Sequence, residues 1–144
     1  KTWGYTNDKK AGFGPTKNEQ SIRKISIDKR TMQTFREMFD RTPTNLHQLV
    51  FYNPRSQFSV VDNSVANKAL KRILSELNID PISPHGLRHT HASILLYKRV
   101  SIYYVSERLG HANIQTTMKT YAHVLRELRA EDEKSSANIF EQLV

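Results

Sequence analysis

Past residue 28 the apolar positions of this chain recur at helical spacing, and before it they alternate. Thr2-Trp3-Gly4-Tyr5 has strand composition, and Arg23, Ile25 and Ile27 alternate with Lys24 and Ser26 at period two. The two runs predict a β-hairpin region over residues 1–28. Between them NDKKAGFGPTKNEQS is rich in Gly, Asn, Lys and Pro, so it should project as a loop. A basic loop of this kind could probe a DNA groove; a solvated loop is the plainer reading.

The stretch from Asp28 to Phe39 predicts a helix, with Thr31 as candidate N-cap and Met32, Phe35, Met38 and Phe39 on one face. Thr42-Pro43-Thr44-Asn45 ends it. Leu49-Val50-Phe51-Tyr52, closed by Asn53-Pro54, reads as a brief strand. Asn63 or Ser64 then caps a helix with Ala66, Leu70, Ile73, Leu74 and Leu77 at helical spacing. Its other face carries Lys68, Lys71 and Arg72, either solvated or facing phosphate.

Ser83 reads as an N-cap with Pro84 at the first helical position, where proline's missing N–H is harmless. His85 and Arg88 lie one turn apart on that helix, and Leu87, Ile94 and Leu95 are its expected buried face. Ser101 caps the next helix, with Ile102, Val105 and Leu109 inward. Gly110 ends it in the left-handed region that favours glycine, which places His111 just past a tight turn. Asn113 caps a further helix to about Tyr121. The tail is charged, then apolar at Ile139, Phe140, Leu143 and Val144, as expected of a last helix that docks. The expected class is mainly α with a small N-terminal β-hairpin (α+β): a hairpin region to 28, a helical core over 29–124 and a tail helix over 125–144.

Composition narrows the class. The length suits one domain with a real core, and a 38% hydrophobic and 25% charged make-up is that of a soluble globular chain. No apolar run approaches the ~20 residues of a membrane-spanning helix. With no cysteine there is neither a disulfide framework nor thiolate chemistry, and a cytosolic protein is expected. The net charge of +8 favours polyanions, nucleic acid above all. The basic residues are spread along the chain, which suits a folded binding surface.

Three motifs between Pro84 and Val124 carry candidate chemistry: His85-x-x-Arg88, Leu109-Gly110-His111 and Tyr121. Cutting a phosphodiester without a metal needs a hydroxyl nucleophile, donors for the non-bridging oxygens and a proton for the leaving 5′-oxygen. Arginine suits the second task because its fork donates two parallel bonds to phosphate. A tyrosine hydroxyl among cations loses its proton more readily. Each motif also has a bland reading: a surface His–Arg pair, a helix C-cap, a packing tyrosine. Tyr97, Tyr103 and Tyr104 are read as packing residues.

Taken together, HGLRHT, ERLGH and TTMKTYAHV resemble the C-terminal catalytic domain of the tyrosine recombinases, the integrases of phages and transposons. The family's order is a His-x-x-Arg, a Leu-Gly-His further on and a tyrosine shortly after, and Arg88, His111 and Tyr121 keep its spacing. GPTKNEQSIRKISID is similar to the family's hairpin segment with its catalytic lysine; Lys17 falls at the matching place, with Lys9, Lys10 and Lys24 as competitors. LVFYNPRSQFSV is similar to the short connecting strand. The resemblance implies a DNA breaking–rejoining fold that acts on double-stranded recombination sites without metal or nucleotide cofactor. It implies Tyr121 as the nucleophile forming a 3′-phosphotyrosyl link, Arg88 and His111 on the phosphate oxygens, His85 in proton transfer and Lys17 as donor to the 5′-oxygen. A homotetramer on DNA, with exchange of the C-terminal helix, is implied for the full-length protein.

The family also has an arginine ahead of the hairpin, in a Leu-Arg-Trp-x-Asp-Ile context that this chain does not contain. The chain is therefore expected to be a truncated catalytic domain with little or no activity by itself. The principal rival is a non-catalytic DNA-binding relative of the same fold. A metal site at His85, His89 and His91 is a weaker rival, because no carboxylate lies nearby in sequence to complete it. Type IB topoisomerases share the chemistry, but the phage-like LRHTHAS phrase fits recombination better.

Overall fold

The computed structural model describes residues 2–5, 11–16 and 18–141. By packing the chain divides into two units, one of Lys1–Lys17 with Lys24–His85 and the other of Asn18–Arg23 with Gly86–Val144.

In the first unit, β1 (Thr2–Tyr5) pairs antiparallel with β2 (Ala11–Gly14), Trp3 opposite Phe13. Two helices follow, α1 (Lys29–Arg41) and α2 (Asn63–Glu76), with an isolated antiparallel bridge between Tyr52 and Val60. Rings do much of the packing. Trp3 meets Phe13 edge-on at 5.1 Å and His47 at 4.9 Å, and its indole N–H donates to the Phe58 carbonyl at 2.9 Å. Phe35 lies 6.2 Å from Phe39 and 6.3 Å from Phe51.

Three expectations need correction here. The strand over residues 23–27 is absent and β2 takes its place as the partner of β1. Alternation signals a strand only where a partner edge is available, and β1 already pairs through the nearer segment. The predicted strand at Leu49–Tyr52 reduces to the Tyr52 bridge. The N-caps of α1 and α2 are Asp28 and Asp62, with bonds of 3.0 Å from Thr31 N–H and 2.9 Å from Val65 N–H. A carboxylate at this position adds charge complementary to the helix dipole, so it displaces the neutral candidates Thr31, Asn63 and Ser64. The Thr31 hydroxyl and N–H together hold the Asp28 carboxyl below its usual range.

The second unit holds a short 3₁₀ turn (Glu19–Ser21), most of α3 (Pro84–Tyr97), α4 (Ile102–Leu109), α5 (Ile114–Thr120) and α6 (Ala122–Glu141). Its core is Ala92 and Leu96 of α3, Val105 and Leu109 of α4, then Tyr121, Val124 and Leu128. The buried stripe of α3 is thus displaced from the expected one. Leu87 and Ile94 are exposed, and only Leu95 of the expected three packs against the core. Tyr97, Tyr103 and Tyr104, expected as packing residues, are exposed as well, Tyr103 most of all. Ser101 and Asn113 cap α4 and α5 as expected.

Only Tyr121 separates α5 from α6, so the expected start of a tail helix at 125 falls in the first turn of α6. Arg99, in the left-handed region at φ 60°, follows the end of α3. Its guanidinium pairs with Glu131 at 2.6 Å and Asp132 at 2.7 Å, and the Tyr97 hydroxyl donates to Glu127. Such exposed pairs contribute only about 0–1 kcal/mol each; the buried contacts of Val124 and Leu128 carry the docking of α6. Of the apolar tail positions expected to dock, Ile139 is exposed, and Leu143 and Val144 lie outside the described residues. No described helix is long and apolar enough to cross a membrane.

Core burial has a direct test. Leu96 is 2% exposed and Leu46 is 93% exposed. Leu96→Ala should lower unfolding free energy by about 2–5 kcal/mol in urea titration, whereas Leu46→Ala should stay within about 0.5 kcal/mol of wild type.

Candidate active site

The last carbonyls of a helix have no partner within it, and here two arginines take them. Arg88 of α3 donates through Nη2 to the Leu109 carbonyl at 2.5 Å, and Arg23 donates through Nε to the Arg108 carbonyl at 2.7 Å. Gly110 turns the chain at φ 71°, and a Cβ there would lie 2.6 Å from Arg23 Nη1 and 3.1 Å from the Gln20 carbonyl oxygen. The turn presents His111, whose Nδ1 shares a 2.8 Å hydrogen bond with the hydroxyl of Thr117, a wholly buried residue of α5.

Burial, then the charges of Arg88 and Arg23 and the nearby His89, press the His111 pKa below its ordinary 6.5. The ring is therefore neutral at neutral pH, one nitrogen a donor and the other an acceptor. Tyr121 caps α5, is 2% exposed, and sets its hydroxyl 3.1 Å from His89 Nδ1. Burial raises the phenol's pKa above its usual 10, and the Arg88 charge works against that rise. A protonated phenol beside a cation and an imidazole can act as a nucleophile once a base takes its proton.

Of the residues singled out in the sequence, Arg88, His111 and Tyr121 come together in the second unit. His85 is exposed in the first turn of α3 and belongs to the first unit. Lys17, Lys9 and Lys10 lie outside the described residues, and Lys24 is exposed in the first unit. The three histidines weighed as a metal cluster diverge in their contacts: His91 accepts from Arg108 Nε at 3.0 Å, and His89 faces Tyr121. Among the described residues, no three His, Cys, Asp or Glu side chains gather as metal ligands.

Comparison with known proteins bears on the same stretch. The family model described as the phage integrase family matches residues 6–127, most of the chain. The chain belongs to the phage integrase family. Among relatives, it is 31% identical over 134 residues to the integrase of Staphylococcus phage L54a, covering 86% of this chain and 38% of that protein. It is 47% identical over 66 residues to a tyrosine recombinase XerD of Listeria monocytogenes, covering 45% of this chain and 22% of that protein. The chain thus spans well under half the length of these relatives. The integrase of transposon Tn1549, solved in complex with a circular intermediate DNA, shares its fold. That match has a TM-score of 0.68 at 19% identity and covers 92% of this chain and 46% of the other. The integrase fold, mostly helical with a small antiparallel sheet, is the class expected from the sequence.

Sequence patterns did not single out Arg23 or Thr117 as parts of an integrase site. Arg23 read as one position of a strand, and its contact with Arg108 spans 85 residues. Thr117 had a local signal, since Asn113 caps α5 and places a hydroxyl one turn later near the Gly110 turn. Gly110→Ala tests the brace. A side chain at positive φ is strained and this one must also push Arg23 aside, so stability should fall by about 1–3 kcal/mol in thermal or urea unfolding.

Proposed function

We propose that the complete protein is a site-specific recombinase that cuts and rejoins DNA through Tyr121. The observation that carries this reading is the gathering of Arg88, His111 and Tyr121 around one helix end in a chain of the integrase family. Arg88 has more N–H donors than its bond to Leu109 uses, and these suit a non-bridging phosphate oxygen. With the Thr117 hydroxyl donating to Nδ1, His111 carries its proton on Nε2 and donates to a second oxygen.

In this reading the Tyr121 oxygen bonds to phosphorus as its proton leaves to a base, the role assigned to His85. The bond from phosphorus to the 5′-oxygen breaks, and Lys17 supplies that oxygen with a proton. The 3′-phosphotyrosyl ester keeps the phosphodiester's energy, so a 5′-hydroxyl from another strand reverses the steps and joins it. Cutting and joining then require neither metal nor nucleotide cofactor. The partner is double-stranded DNA, for which the charge of +8 is suited. Assembly is as a homotetramer on DNA, with the C-terminal end of the tail helix, past the docked Val124 and Leu128, as the part exchanged between subunits.

The experiment uses the complete protein and a duplex carrying the junction at the ends of its encoding element, with a 5′-bridging sulfur at the scissile phosphate. The departing thiol rejoins poorly, so the covalent adduct accumulates. Tyr121→Phe should abolish the adduct while leaving DNA binding intact, and Arg88→Ala should lower its rate by about 100- to 1,000-fold. An adduct that persists in Tyr121→Phe contradicts the nucleophile; DNA binding with no adduct in the wild type would identify a non-catalytic relative.

A further inference from the structure

The backbone of Tyr121 is held from both sides, its N–H bonded to the Thr117 carbonyl at 3.0 Å and its carbonyl to the Leu125 N–H at 3.0 Å. The phenol is buried with the core residues Val124 and Leu128. What fixes the direction of its hydroxyl is therefore a side-chain partner, and a buried tyrosine generally needs one.

His89 fills that place. It lies three and seven positions before Ala92 and Leu96, so it forms the polar end of the buried stripe of α3. The ring is tilted 58° to that of Tyr121 with centroids 5.8 Å apart, which brings a ring nitrogen to the hydroxyl without stacking. Arg88, the preceding residue, bears electrostatically on the same phenol. One turn of α3 thus contributes a cation and a hydrogen-bond partner to one oxygen.

We propose that His89 is the positioning residue of the nucleophile: its Nδ1 shares a hydrogen bond with the Tyr121 hydroxyl and aims the oxygen into the site beside Arg88. This rests on the reading of Tyr121 as nucleophile and adds to it a residue outside the set that the family pattern supplied. In the sequence His89 stood only as a weak metal-ligand candidate.

Two substitutions separate the hydrogen bond from the packing. His89→Phe keeps a ring against Tyr121 and removes the hydrogen-bond partner. His89→Asn removes the ring and keeps a hydrogen-bonding group near the place of Nδ1. The measurement is the single-turnover rate of adduct formation by the complete protein on the 5′-sulfur duplex, with affinity for the same duplex and melting temperature measured alongside. A sulfur leaving group needs no proton donor, so the rate reports the nucleophile's side of the reaction.

His89→Phe should slow adduct formation by about 10- to 100-fold, with affinity and melting temperature near wild type. His89→Asn should recover to within about threefold of wild type, even if its melting temperature falls. An unchanged or faster rate in His89→Phe overturns the proposal, the faster rate meaning that His89 restrains the tyrosine. A loss in His89→Asn as deep as in His89→Phe overturns it too. If His89→Phe does not fold, His89→Leu takes its place on the same criterion. Tyr121→Phe run in parallel separates the two levels: an adduct there refutes the nucleophile itself, whereas its absence together with wild-type rates for His89 variants refutes only this inference.

Discussion

The site depends on how α4 ends. Helix carbonyls at a C-terminus carry partial negative charge and need donors, and here Arg88 and Arg23 approach them from different segments. Either bond alone would be a modest hydrogen bond of about 1–3 kcal/mol to a charged group. Their joint effect is larger in consequence than in energy. They fix the turn at Gly110, and that turn decides where His111 points. They also place two permanent positive charges near a neutral imidazole, an arrangement suited to an anion.

That arrangement sets opposing demands on Tyr121. Burial anchors the residue between α5 and α6 and raises the pKa of its phenol, while Arg88 lowers it. Burial dominates, so the hydroxyl holds its proton at neutral pH. The neighbours then matter by position. Thr117 holds His111 from below the turn, and His89 meets the hydroxyl from α3. The second unit's packing and its chemistry share residues, since Leu109 and Tyr121 belong to the core while their backbone or hydroxyl serves the site.

How much of this could be read from sequence follows from the range of the interactions. The caps at Ser101 and Asn113 and the left-handed turn at Gly110 are local, and the sequence showed them. The convergence of Arg88, His111 and Tyr121 came from motif order and spacing taken together as the family has them, and not from helical periodicity. Contacts across long separations had no local signal: Arg23 to Arg108, or His89 to Tyr121. Alternation at residues 23–27 misled because pairing needs a partner edge, and β2 had already taken it. The buried stripe of α3 was misplaced because its core positions include Ala92, which hydrophobicity alone ranks below Ile94. Lys17 lies outside the described residues, and its role rests on resemblance.

The central claim is that chemistry in this protein runs through one tyrosine held at the junction of α5 and α6. Peptide mapping by mass spectrometry of the complete protein trapped on its DNA tests it most directly. The account predicts a nucleotide remnant on the peptide containing Tyr121, joined through a 3′-phosphate. A remnant on Tyr97, Tyr103 or Tyr104, or one joined through a 5′-phosphate, would contradict it.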